Sequence, residues 1–212
     1  MLIWLGGTIV SKQDSSFFVR RLHSLLGVVP LGVFLVQHLI INNFATRGPE
    51  AFNTAAGFMG NLPFVLVLET FVIYLPILFH GIYGVYIAFT AKNNVGRYGT
   101  YRNWMFLIQR ITGIIAFVFI AIHVYQTRFQ VLLGAEVNFD MMADILGSPF
   151  WFVFYVVGVL AVVFHFANGL WSFMITWGIT QSPKSQQIMS YVAIIVFVIV
   201  GFIGVQTLFA FI

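Results

Sequence analysis

Long runs of apolar residues alternate with short polar stretches along most of this chain, and the alternation has the scale of a bilayer rather than of a soluble core. Five runs are long enough to cross a membrane as helices, at roughly 22–43, 63–91, 104–127, 149–179 and 187–212. Pro63 and Pro149 stand near run starts, where a missing N–H costs least. Pro30 and Pro76 fall inside runs and predict kinks, which membrane helices tolerate. The fourth run exceeds the bilayer's need and should tilt or protrude. The intervening stretches "ATRGPEAFNTAAGFMGN" and "FQVLLGAEVNFDMMADILGS" carry turn residues and leave room for short interfacial helices. The first ten residues, "MLIWLGGTIV", are too short for a span and lack a basic lead-in and a cleavage site. This pattern predicts an all-α integral membrane protein of five transmembrane helices. Residues 1–21 form a cytoplasmic N-terminal segment, and 22–212 form one membrane domain whose first four helices make a bundle.

Composition agrees with the pattern: 60% of residues are apolar, 8% are charged and the mean hydropathy is +0.98. A soluble domain of this size needs more charge on its outside. The chain has no cysteine, which excludes disulfides, cysteine-held iron–sulfur clusters and C-x-x-C-H haem attachment. The net charge of +4 is no nucleic-acid signal, because the cations sit at the ends of apolar runs. One side would hold Lys12, Arg20, Arg21, Lys92, Arg97, Arg102, Arg110 and Lys184, and the other only Arg47 and Arg128. The asymmetry puts the N-terminus in the cytoplasm and the C-terminus outside. Glu50, Glu136, Asp140 and Asp144 then fall on the outer side.

The chemistry lies in the histidines. His23 follows Arg20 and Arg21 at the cytoplasmic entrance, while His38, His80, His123 and His165 lie one to a helix on the first four spans. At about 1.5 Å per residue, His38 is about 25 Å from Arg21 and His123 about 28 Å from Trp104, so both lie in the outer half. His80 is about 18 Å from Lys92, and His165 about 24 Å from Pro149, which places this second pair lower. Imidazoles at equal depth on facing helices can clamp a haem iron from both sides, and each remaining ring N–H then needs an acceptor. Gly27, eleven residues before His38, and Thr112, eleven before His123, would leave room for the inner group. Gly84 and Gly169, four after His80 and His165, would let a flat cofactor approach the backbone. A single intramembrane histidine more often bonds a neighbouring helix, and small residues often serve helix packing. Four histidines that pair by depth favour ligation.

Glu69 is the one acid inside a predicted span, about 9 Å below Pro63 and eleven residues before His80. It is a candidate proton donor for quinone reduction; the alternative is a carboxyl that only bonds a neighbour.

The segments "RRLHSLLGVVPLGVFLVQHL", "LPILFHGIYGVYIAFTAKN", "RNWMFLIQRITGIIAFVFIAIHVY" and "VVFHFANGLWSFMITWGIT" resemble the cytochrome b membrane subunits of succinate dehydrogenase, in particular the di-haem b558 type of Gram-positive bacteria. The likeness covers roughly residues 17–212. It implies a multi-pass subunit in the bacterial cytoplasmic membrane, partnered by a flavoprotein with FAD and an iron–sulfur subunit. It implies two b haems with axial ligands His38, His80, His123 and His165, and menaquinone as electron acceptor. Such a subunit contains no succinate site, and the quinone site lies partly within it. Relatives hold haem propionates with polar residues near His23 and Ser24, and Arg21 and Arg110 lie at the same level. Some related fumarate reductases carry a glutamate two residues before the fourth ligand, where this chain has Val163. That difference favours succinate oxidation. The other readings are a subunit of a quinol:fumarate reductase, a histidine-relay proton channel or transporter, and a purely structural anchor.

Overall fold

The computed structural model describes the backbone of residues 3–5, 8–10 and 12–212, and side chains from Ser16 onward. Ile3–Leu5 (β1) pairs antiparallel with Thr8–Val10 (β2) ahead of the helices. All other regular structure among the described residues is helical. The first span, Ser16–Arg47, combines α1 (Lys12–Val28), α2 (Pro30–Asn42) and a 3₁₀ turn at Asn43–Arg47. Pro30 has no N–H to continue the ladder, and the helix breaks at Val29. The helix begins ten residues before the predicted span, because hydropathy marks only its apolar part.

A surface helix, α3 (Pro49–Gly60), leads to the second span. That span consists of α4 (Val65–Leu68), a π-helical segment Glu69–Tyr74 and α5 (Leu75–Thr90). Pro76 lies just beyond the π segment, where the missing donor is absorbed by the widened turn. The third span carries α6 (Tyr101–Gln126) and the short α7 (Arg128–Leu132). Thr100 caps α6, with its side chain accepting from the Asn103 N–H. The interfacial helix α8 (Phe139–Leu146) is capped in the same way by Asn138. The fourth span is α9 (Pro149–Thr176), which stops where Gly178 takes φ +70°. The last is α10 (Pro183–Phe209), started by a reciprocal Ser182–Ser185 cap with Pro183 at its first position.

Helix α9 is central and packs against α1, α6 and α10, while α5 bridges α1 and α6. The first four spans therefore surround a common interior, and α10 lies outside them against α9 and α2. Close approach depends on missing side chains. A Cβ on Gly158 would lie 2.1 Å from the Phe119 ring, and one on Gly204 would lie 2.6 Å from Val159. Leu39, Phe52, Phe119, Leu146, Tyr155, Val159, Val163 and Leu208 belong to one buried apolar cluster. Val163 is 0% exposed and sits within this core. The outward faces of the spans are covered with large apolar residues, such as Phe71, Ile82, Phe89 and Phe202, as lipid contact requires.

Candidate functional site

The interior of the bundle holds two histidine pairs, each joining different spans. His38 on α2 meets His123 on α6, with ring centroids 5.9 Å apart and planes at 71°. His80 on α5 meets His165 on α9 at 6.1 Å and 86°. These are the partners that equal depth predicted.

In the lower pair, His80 Nδ1 lies 2.9 Å from the main-chain oxygen of His23, and His165 Nδ1 lies 3.0 Å from that of Gln109. A carbonyl only accepts, so each ring donates its Nδ1–H and keeps a bare lone pair on Nε2. Gln109 also donates its side-chain amide to the His165 carbonyl at 2.9 Å and accepts from Asn168 at 2.7 Å. In the upper pair, His123 Nδ1 lies 3.3 Å from the Tyr155 hydroxyl, which donates to Gln126 Oε1 at 3.0 Å. Asn42 donates to the His38 carbonyl at 2.7 Å and lies 3.4 Å from both ring nitrogens of His38.

Among the described residues, no cluster of three or more His, Asp or Glu side chains could hold a bare metal ion. Two imidazoles per site suit a metal that brings its own equatorial ligands, as haem iron does. With metal–nitrogen bonds of about 2 Å and a ring nitrogen about 1.2 Å from its centroid, opposed imidazoles have centroids roughly 6 Å apart. Both pairs match that spacing.

The lower end supplies a second, independent fit. Arg21 Nε, His23 Nε2 and Arg110 Nε are buried without a hydrogen-bond partner. His23 stacks on His80 at 4.0 Å with planes 4° apart, which ties this unsatisfied group to the lower pair. Arg21 donates through Nη2 to the Thr176 carbonyl at 3.3 Å and lies 5.3 Å from the Trp177 ring centroid. Arg110 donates to the Phe106 carbonyl at 2.6 Å. Haem propionates are the anions that such donors would satisfy. Ser24 is half-buried, one residue beyond His23, and Arg20 is exposed.

The small residues do other work than expected. A Cβ on Gly27 would lie 2.3 Å from His80 Cε1, so this glycine admits the imidazole itself. Gly84 faces His23 Nε2 at 3.3 Å, and Gly169 faces the Gln109 amide at 3.4 Å. Thr112 is buried and bonds the Ile108 carbonyl of its own helix. Its neighbour Gly113, which spacing did not single out, makes way for His165 at 2.9 Å. Glu69 accepts from Arg128 through Nε at 3.2 Å and Nη2 at 2.7 Å, and both residues are half-buried. The π segment adds residues to its turns, so the eleven-residue phase linking Glu69 to the His80 face does not hold.

Tyr155, Gln109, Gln126, Asn42 and Asn168 were not found by sequence reasoning. The available signal was uncharged polarity inside apolar helices, where each such group needs a partner.

Residues 90–205 match the model of the succinate dehydrogenase/fumarate reductase transmembrane subunit family. The chain is 59% identical over 199 residues to the succinate dehydrogenase cytochrome b558 subunit of Bacillus subtilis (strain 168), covering 94% of this chain and 98% of that one. Such identity over nearly the whole length, on a five-span helical fold, shows that the chain belongs to the family of succinate dehydrogenase and fumarate reductase transmembrane subunits, as a cytochrome b membrane subunit.

Proposed function

We propose that this subunit conducts electrons from an iron–sulfur partner to menaquinone, with His38 and His123 holding an outer b haem and His80 and His165 an inner one. The observation that carries the reading is the presence of two imidazole pairs at 5.9 and 6.1 Å, each within the bundle interior. When bound, haem supplies reversible one-electron chemistry. The chain's own contribution is to orient the ligands and balance charge. The carbonyls of His23 and Gln109 hold the lower rings in the tautomer that leaves Nε2 free. Arg21, His23 and Arg110, with Ser24 beside them, provide donors for the inner propionates. The apolar helix faces exclude water from the path.

The distribution of basic residues favours a cytoplasmic N-terminus, and on that side the basic loop from Lys92 to Arg102 would dock the iron–sulfur subunit. The outer end would then receive the quinone. There Glu69, which accepts from Arg128, would take up protons from the outer aqueous side and relay them to the reduced quinone. The matched relative is named for succinate dehydrogenase, which supports succinate oxidation over the fumarate-reducing direction.

The test is a pyridine haemochrome assay with reduced-minus-oxidised spectra on the purified, folded subunit. Two b haems per chain are expected, falling to one in His123→Ala or His165→Ala. A folded preparation without haem overturns the reading and favours the histidine relay or the structural anchor.

A further inference from the structure

The two histidine pairs differ in what receives their ring N–H groups. In the lower pair both acceptors are main-chain carbonyls, which no substitution can remove. In the upper pair His123 depends on a side chain, the Tyr155 hydroxyl at 3.3 Å. Tyr155 is 2% exposed and lies on the neighbouring span. Its ring meets His123 edge to face at 5.7 Å, and Phe119 packs on both, stacked on the imidazole at 5.8 Å and 18° and edge to face with the phenol at 5.3 Å. The orientation of this chain of contacts is fixed at its far end. Gln126 Oε1, 3.0 Å from the hydroxyl, can only accept, so the phenol spends its single proton there. What remains toward His123 is an oxygen lone pair, and the group that can meet it is Nδ1–H. The tautomer with Nε2 bare follows.

We propose that Tyr155, with Gln126 behind it, is a positioning residue that selects the iron-binding tautomer of His123 and sets the reduction potential of the outer haem. The proposal rests on His123 being an axial ligand. An acceptor on Nδ1–H pushes electron density onto the ring, and a more basic imidazole stabilises the oxidised iron. Tyr155 thereby lowers the potential of one haem and leaves the other untouched. Gln126 strengthens the effect, because a hydroxyl that donates becomes a better acceptor. A merely structural reading treats the same contacts as a staple between α6 and α9, and it predicts changes in stability alone.

Optical redox titration of the intact complex in native membranes separates the two. Tyr155→Phe should keep both haems and shift the midpoint of one component to more positive potential, leaving the other in place. Gln126→Glu puts a stronger acceptor behind the phenol and should shift the same component the opposite way. A carboxylate also acts directly through its charge, so the double variant decides the route. Without the hydroxyl, most of the Gln126→Glu shift should disappear. Two haems with unmoved midpoints in Tyr155→Phe overturn the proposal, as does an equal shift of both components or a Gln126→Glu shift undiminished without the phenol. Should Tyr155→Phe lose the outer haem, Gln126→Glu and Gln126→Leu keep the ring, and identical midpoints in those two variants would overturn it. A parent complex without haem removes the ligation reading and this proposal together, whereas unmoved midpoints in a di-haem complex remove this proposal alone.

Discussion

Gln109 and His165 grip each other twice: the His165 ring donates to the Gln109 main-chain carbonyl at 3.0 Å, and the Gln109 side chain donates to the His165 carbonyl at 2.9 Å. The first bond orients the imidazole and the second ties α6 to α9. They can be separated by mutation, because only the second uses the glutamine side chain.

Gln109→Leu should therefore retain both haems while weakening the bundle. It removes the bonds to the His165 carbonyl and from Asn168, each worth about 0.6 kcal/mol in a membrane interior. A total near 1 kcal/mol should lower the temperature of haem loss in detergent by about 2–4 °C. Haem stoichiometry followed through a thermal ramp checks it. A variant that loses the inner haem outright at low temperature would show that the side chain, rather than the carbonyl, holds the ring.

Gly27→Ala should disturb the inner pair from a neighbouring helix. Its Cβ would lie 2.3 Å from His80 Cε1, so the ring or α1 must move, at a cost of about 1–3 kcal/mol. Gly57→Ala in α3 is the matched control, since nothing lies within 4 Å of its added Cβ. There the gain in helix propensity should stabilise by about 0.5–1 kcal/mol. The measurement is haem content together with unfolding temperature in both variants.

Glu69→Gln should lower succinate–quinone turnover by about a hundredfold, the scale of losing a positioned proton donor. Haem content should stay at the parent level. The amide oxygen of the substituted side chain can still accept from the half-buried Arg128, so the fold should survive. Unchanged turnover with normal haem content would take Glu69 out of the mechanism and leave it as Arg128's partner.

Hydropathy and helical rise by themselves determined the five spans, their approximate limits and which histidines lie across from one another. Both quantities are local: burial in lipid demands about 20 apolar residues, and each residue advances about 1.5 Å. Equal depth was enough to pair His38 with His123 and His80 with His165, because side chains at one level of a small bundle have few other places to meet. The start signal at Pro149 was readable for the same local reason, whereas the last helix starts at Pro183, four residues before the predicted run. The tertiary structure decided which groups serve those histidines. The acceptors for His80 and His165 are main-chain carbonyls of His23 and Gln109, and a carbonyl leaves no mark in sequence. The stack of His23 on His80, the Glu69–Arg128 pair and the Tyr155–Gln126 link join residues 29 to 59 positions apart. Which of several polar groups meet at such separations depends on how the helices rotate and cross. That is set by packing at contacts such as Gly27 with His80 and Gly158 with Phe119, where a single missing Cβ fixes how close two helices come.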